Sequence, residues 1–404
     1  MADFFQNGVI TTLQALGPRT EERLERELEE YTRDRPLVLV LPSLYSELQG
    51  AALVGILDEL QQVSYLREIV VTLGAADEAQ FRDALGYFGR LPQKVRVLWN
   101  DGPRIRGIQA QMREHSLFLG EPGKGLSAWM AYGYVLGDEA VRAVALHDCD
   151  IVTYRRGLLH RLVYPIVNPH LDYQFCKGFY ARVTDRLHGR VTRIFVTPLV
   201  RALQKILGCT PFLTYLDSFR YPLAGEICMD LDVARINRIP SNWGLEVGTL
   251  AEVYRNYACR RVCQADLDID YEHKHQETGI AAPQPAGLLR MSREIASTVF
   301  QALASDGVCM PQSFFRSLRA TYLRCAQDAI RQYSDLSAIN GLVYDRHTED
   351  TLAEAFGRSL ERAGQDFLEN PLGTPSIPSW NRVSGAMPAV HRSIREAVEL
   401  DNQG

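Results

Sequence analysis

"RAVALHDCDIVTY", Arg142–Tyr154, sets an apolar run, Ala143–Leu146, directly before two aspartates, Asp148 and Asp150. A short continuous apolar run reads as a strand buried on both faces. Residues two apart share one side of an extended backbone, so the two carboxylates would stand together where that strand ends. Oxygen donors at such an edge suit a divalent cation. Taken alone, the pair would serve equally well as a helix cap or a solvated turn, and the surrounding sequence has to separate these.

Working outward, "PLVLVLP" (Pro36–Pro42) is a second continuous apolar run, bounded by prolines. "EIVVTL" (Glu68–Leu73) and "KVRVLW" (Lys94–Trp99) are two more. Helical patterns lie between them, over Glu47–Val63 and in "EAQFRDALGYF". Strand–helix–strand repetition predicts an α/β fold, a mostly parallel Rossmann-like sheet flanked by helices. In such sheets ligands bind beyond the carboxyl ends of the strands, which is where Asp148 and Asp150 fall. Neither GxGxxG nor GxxxxGK[ST] follows the first strand, so the dinucleotide fingerprint and the ATPase phosphate loop are both excluded. Residues 1–35 read as an N-terminal helical arm with a charged, solvated face. Residues 36–280 form the expected catalytic domain. Past the Ala/Pro/Gln stretch "AAPQPAG", residues 281–404 carry helical spacing almost throughout, and "PLGTPSIPSW" reads as a surface wrap. This C-terminal region could brace the catalytic domain, close over a substrate or form an interface.

The net charge of −5 argues against binding to nucleic-acid backbones. No apolar run approaches the ~20 residues that span a bilayer, and the N-terminus lacks a signal-peptide pattern, so the expected location is cytoplasmic. Cys259 and Cys263, in "ACRRVC", have no matching Cys/His pair and read as buried thiols rather than zinc ligands.

Four further stretches carry chemistry-bearing residues. "GEPGKGLSAW" surrounds Lys124 with glycines ahead of a helix, a context in which backbone N–H groups and an ammonium approach phosphate oxygens; a flexible turn is the plainer alternative. "CKGFY" and "HGRVTRIFVTPLV" concentrate Lys177, Arg190 and Arg193 in an acidic chain. Arg190 and Thr192 together offer a planar fork and a hydroxyl to a phosphate or carboxylate, whereas Arg193 also reads as a helix-surface charge. "RYPLAGEICMD" and "NWGLEVGTL" set Glu226 and Glu246 beside glycines. "DLDIDYEHKHQ" brings two histidines, His273 and His275, into a β-type alternation, where one could join the aspartates on a cation.

Taken in order, "LPSLYSE", "PGKG", "DCD", "CKGFY", "GRVT…PL", "PLAGE", "WGLEVG" and "EHKH" resemble the retaining GT-A glycosyltransferases that make glucosyl-3-phosphoglycerate, relatives of the mannosylglycerate synthases. The resemblance covers roughly residues 36–276. It implies transfer of glucose from a nucleoside diphosphate donor, UDP- or GDP-linked, to 3-phosphoglycerate with Mg²⁺ or Mn²⁺. Alternatives are a mannosyl donor, free glycerate as acceptor, or a catalytically silent nucleotide-sugar module. It implies Asp150 and His273 (or His275) as metal ligands and Asp150, Lys124 and Glu226 as catalytic residues. Pro42, Leu44, Glu47, Lys124, Asp148, Cys149 and Glu246 would meet the donor, although "PSLYSE" stands where the family has "PALxEE". Gly189, Arg190, Val191, Thr192 and Tyr180 would meet the acceptor. Front-face attack is the implied route, with double displacement through Glu226 as the rival. A homodimer and a role in compatible-solute or methylglucose polysaccharide synthesis complete the expectation.

Overall fold

The computed structural model describes residues 6, 8–17, 20–268 and 286–403. Eight strands form one sheet: β1 (Thr11–Leu13), β2 (Leu37–Leu44), β3 (Leu66–Gly74), β4 (Val95–Trp99), β5 (Ala143–Leu146), β6 (Phe175–Tyr180), β7 (Ile227–Asp230) and β8 (Val262–Asp268). Their order across the sheet is β1-β8-β6-β7-β5-β2-β3-β4. Every pairing is parallel except those of β7, which runs antiparallel to both β5 and β6. The reversal matters for function. The carboxyl ends of β2, β5 and β6 and the amino end of β7 all meet at one edge.

The apolar run of β2 explains the doubly covered sheet. Leu37, Leu39 and Leu41 enter one core with the helices Ala51–Leu60, Glu78–Phe88 and Arg156–Val167. Val38 and Val40, pointing the other way, enter a second core with the helix Lys124–Val135 and the C-terminal helices. Alternate residues of one strand thus serve two faces, which is why its sequence shows no polar alternation.

Among the described residues of the expected helical arm, Thr11–Leu13 is a strand paired with β8, and only Thr20–Asp34 is helical, packed on Arg156–Val167. The β-branched pair Thr11–Thr12 favours the extended form there. The long helices Ala286–Ser305, Gln312–Ile339 and Arg346–Glu369 supply Phe300, Tyr322 and Phe356 to the same core as the sheet's second face. The expected boundary at 280/281 lies outside the described residues.

Of the segment read as a surface wrap, residues 371–376 are exposed apart from half-buried Gly373, but residues 377–380 form an internal clasp. Ile377 bridges Ile239, and Trp380, fully buried, stacks on Trp129 at 4.0 Å between ring centroids. Trp380 Nε1 donates to the Trp129 carbonyl, and Trp129 Nε1 donates to that of Pro378. Turn-forming prolines and glycine disguised this in the sequence, because they report the backbone path and not the burial of the tryptophan between them. The final helix, Val390–Asn402, covers edge strand β4: Asn402 Oδ1 accepts from Val97 N–H and its Nδ2 donates to Val97 O. Among the described residues, no helix is long and apolar enough to cross a membrane.

Candidate active site

Register builds the side expected to meet the donor. Leu37–Val40 of β2 pairs with Ala143–Leu146 of β5, and His147 N–H continues the ladder to Val40 O. The two strands therefore finish side by side, placing Pro42, Leu44 and Glu47 next to Asp148, Cys149 and Asp150. Pro42 and Glu47 are half-buried and Leu44 is exposed on the rim. Asp148 and Asp150 are both partly open to solvent. Cys149 is buried, with burial pushing its thiol well above the usual range. Its side chain packs the two strand ends together, so a contact with the donor would come from its backbone.

Lys124 opens the helix that follows "GEPG". Its Nζ lies 2.7 Å from Asp148 Oδ1 and 3.4 Å from Glu246 Oε1, and Glu246 stands in the first turn of its own helix, Leu245–Asn256. Burial would depress the ammonium, but Asp148 and Glu246, with Glu226 behind them, outweigh it and hold Lys124 above the ordinary lysine value. Gly225, at the amino end of β7, completes the contact. A Cβ there would sit 2.4 Å from Asp148 Oδ2 and 2.8 Å from Lys124 Nζ, so a larger residue would displace the Lys124–Asp148 pair. Glu226, next in sequence, is fully buried and its carbonyl accepts from Gly178 N–H of β6 at 2.9 Å.

Lys177 belongs to this same group. The sequence groups it with Arg190 and Arg193 only as a concentration of positive charge. In the fold it is 1% exposed, its Nζ donates to Ala224 O at 2.6 Å, and it lines a small cavity with Lys124, Gly225 and Glu246. Burial lowers its ammonium to about 8, while Glu246 and Glu226 oppose the shift. Two lysines and the acids Asp148, Glu226 and Glu246 thus balance one another under the strand ends. His147 is also fully buried. It packs edge-on to Tyr154, its ring nitrogens have no hydrogen-bond partner among the described residues, and burial drives it down to about 4, Asp148 opposing. It stays neutral at physiological pH.

Among the described residues no cluster of three or more His, Cys, Asp or Glu gathers as a metal site. His273 and His275 lie outside the described residues. Two neighbouring carboxylates at an open edge nonetheless fit Mg²⁺ or Mn²⁺, which bind through one or two acids and take the remaining oxygens from phosphates and water.

The side expected to meet the acceptor is built differently. Beyond β6, residues 182–188 fold back through the Val183–Leu187 bridge and His188 N–H bonded to Arg182 O. Gly189 adopts φ +70°, and Tyr221 stands 3.5 Å from where its Cβ would be. Tyr180, buried, packs against Tyr221 with ring centroids 4.9 Å apart, joining the donor edge to this loop. Val191–Val196 then winds in wide i→i+5 turns, a form common at functional sites. Val191 is buried, and the buried Thr192 Oγ1 has no hydrogen-bond partner among the described residues.

Arg190 is paired rather than free: its Nε lies 3.1 Å from Glu349 Oε1. Arg193, which also reads as a surface charge, is buried against the same carboxylate at 3.2 Å. Glu349 and Tyr221 were missed in the sequence. Glu349 did leave a signal, since it precedes Leu352, Phe356 and Leu360 on the buried face of the helix Arg346–Glu369. An acid on an apolar stripe calls for a buried partner.

A mostly parallel sheet carrying an aspartate pair and a braced lysine at its strand ends fits a nucleotide-sugar glycosyltransferase of the GT-A class. Two glucosyl-3-phosphoglycerate synthases are similar to the chain along its whole length. That of Persephonella marina is 48% identical over 402 residues, covering 100% of this chain and 99% of the relative. That of Methanococcoides burtonii is 37% identical over 404 residues, covering 99% and 98%. The chain belongs to the glucosyl-3-phosphoglycerate synthase family. Among solved structures, the Mycobacterium tuberculosis synthase with Mn²⁺, UDP-glucose and phosphoglyceric acid aligns with TM-score 0.52 at 20% identity, covering 73% of this chain and 88% of that one. The same enzyme with Mg²⁺ and UDP aligns equally well, and at this identity the likeness speaks for the fold. No protein-family model matches the chain.

Proposed function

We propose that the chain is a retaining hexosyltransferase that moves glucose from a nucleoside diphosphate to 3-phosphoglycerate. What carries this is the Lys124–Asp148 pair at the end of β5, in a chain 48% identical end to end to a glucosyl-3-phosphoglycerate synthase. Transfer must stabilise a departing diphosphate and an oxocarbenium-like sugar. When bound, Mg²⁺ or Mn²⁺ supplies Lewis-acid neutralisation of the leaving group; Asp150 would hold it, with Asp148 beside it and a histidine of the 273–275 stretch. Lys124 adds a fixed positive charge, already oriented by Asp148 and Glu246, so little reorganisation is needed as negative charge develops. Glu246 and Gly225 line the space for the sugar. Pro42, Leu44 and Glu47 offer the rim for the nucleoside.

Arg190 and Thr192 bind the acceptor's phosphate, Arg190 through the nitrogens that Glu349 leaves open and Thr192 through its unsatisfied hydroxyl. Gly189, Val191 and Tyr180 shape that cradle. Attack proceeds from the face the diphosphate leaves, so Glu226 steadies Lys124 and Lys177 instead of forming a glycosyl ester. A cytoplasmic homodimer belongs to the same proposal, since two-fold dimers are the commonest closed assembly of soluble enzymes.

The test is an activity matrix of UDP-glucose, GDP-glucose and GDP-mannose against 3-phosphoglycerate and glycerate, with and without added Mg²⁺ or Mn²⁺. Turnover is expected with a glucosyl donor, 3-phosphoglycerate and metal. In the same assay Arg190→Ala should raise the acceptor KM about tenfold or more, leaving the donor KM within twofold. Unchanged acceptor saturation in that variant removes the clamp.

A further inference from the structure

Glu349 holds the arginine that the acceptor needs. It lies beyond the chain segment that builds the sheet, on a C-terminal helix, and is 4% exposed. One carboxylate there faces two guanidiniums. Its Oε1 accepts from Arg190 Nε at 3.1 Å and from Arg193 Nη2 at 3.4 Å. Its Oε2 accepts from Arg193 Nη1 at 3.2 Å and from the Tyr344 hydroxyl at 3.5 Å.

The two arginines are used unequally. Arg193 is nearly fully used: besides its bonds to Glu349, Nε donates to His188 O, Nη2 also donates to Leu187 O, and the guanidinium lies over the Tyr333 ring at 4.9 Å. Arg190 spends only Nε, so its Nη1 and Nη2 have no partner among the described residues, and its side chain is 33% exposed. Two positive charges against one negative leave a surplus of one, and the open fork is Arg190's. The C-terminal helices also hold the backbone around it. Tyr322 OH donates to Ile194 O within the wide turns, and Val343 N–H donates to Asp185 O in the preceding loop.

We propose that Glu349 is a positioning residue that orients Arg190 for the acceptor's phosphate, so that acceptor selection in this chain depends on its C-terminal helices. The proposal rests on the acceptor role given to Arg190 above. Glu349 fixes the guanidinium plane through Nε and turns Nη1 and Nη2 outward. Arg193 anchors Glu349 in turn, which keeps the carboxylate from following the ligand.

The test compares Glu349→Gln, Glu349→Asp and Tyr344→Phe with the parent enzyme, using 3-phosphoglycerate and glycerate as acceptors and thermal unfolding as a check on folding. Glu349→Gln keeps the shape but removes the charge. It should raise the KM for 3-phosphoglycerate about tenfold, leave kcat and the donor KM within about threefold, and shrink the preference for 3-phosphoglycerate over glycerate. Glu349→Asp should recover part of the loss, and Tyr344→Phe should shift the acceptor KM about twofold in the same direction. A purely structural role would lower kcat and unfolding temperature together without moving the acceptor preference, and that result overturns the proposal. So does an acceptor KM that stays constant or falls in Glu349→Gln, since Glu349 would then be competing for Arg190. Arg190→Ala, run alongside, separates the two levels. If it raises the acceptor KM and Glu349→Gln does not, only the positioning role fails; if neither does, the clamp itself fails.

Discussion

The donor edge and the acceptor cradle reach comparable order by different means. At the donor edge, backbone register does most of the work: β2 and β5 end together because four consecutive residues of each are paired, and β7 begins there because it runs backwards. At the cradle strand register reaches only as far as Tyr180, the last residue of β6. A loop, a segment of wide turns and a helix more than 150 residues away are joined by side chains, chiefly Glu349 with Arg190 and Arg193. Register is set by many weak bonds and tolerates the loss of one side chain. A junction built on one buried carboxylate does not, because removing it leaves two guanidiniums facing each other. Donor-side substitutions should therefore lower turnover while the architecture stands, and cradle substitutions should change which acceptor is bound.

The sharpest way to break this contrast is Asp150→Ala. If Asp150 holds the proposed cation, kcat/KM should fall by about a thousandfold or more while the acceptor KM stays within threefold. A comparable rise in acceptor KM would mean that the two halves are not separable. Lys124→Met is the next largest. Removing one preorganised charge costs about a hundred- to a thousandfold in rate, and here it also leaves Asp148 and Glu246 without the ammonium between them. The loss should fall on kcat at saturating acceptor. Recovery of most activity at high donor concentration would reassign Lys124 to simple binding.

Legibility in the sequence follows the same division. The apolar runs at 36–42, 68–73, 94–99 and 143–146 match β2, β3, β4 and β5, with Pro36 and Lys94 one residue ahead of their strands, because strands buried on both faces write their burial directly into composition. "EAQFRDALGYF" is the helix Glu78–Phe88, started by a capping box at Asp77 and Gln80. Asp148, Asp150 and Lys124 were readable because strand ends and helix starts are local features. The direction of β7 was not, since four residues carry no mark of which way they pair. That hid why "PLAGE" reaches the donor edge, and with it the true neighbourhood of Lys177. Glu349 and the Trp129–Trp380 stack each depend on a partner at least 150 residues away, and composition within a window cannot report such a contact.

Lys177 gives the smallest expected effect and the finest test of the contrast, because its two consequences have opposite signs. Burial lowers its ammonium from 10.5 to about 8, with Glu246 and Glu226 opposing. A folded value below the unfolded one means that protonated Lys177 costs stability at every pH below about 8, and that this cost is relieved as pH climbs from about 8 towards 10.5. Activity should move the other way, since the charge that balances Glu226 and Glu246 beside Lys124 is lost over that range. We expect kcat/KM for the donor to fall about tenfold between pH 7 and 9, while unfolding by denaturant shows this group's contribution to stability rising. In Lys177→Met the plateau should be lower and flat across that interval, and the acceptor KM should not follow pH in either protein. If the alkaline fall persists unchanged in Lys177→Met, another group is titrating, and Lys177 serves only to pack the end of β6 against Ala224.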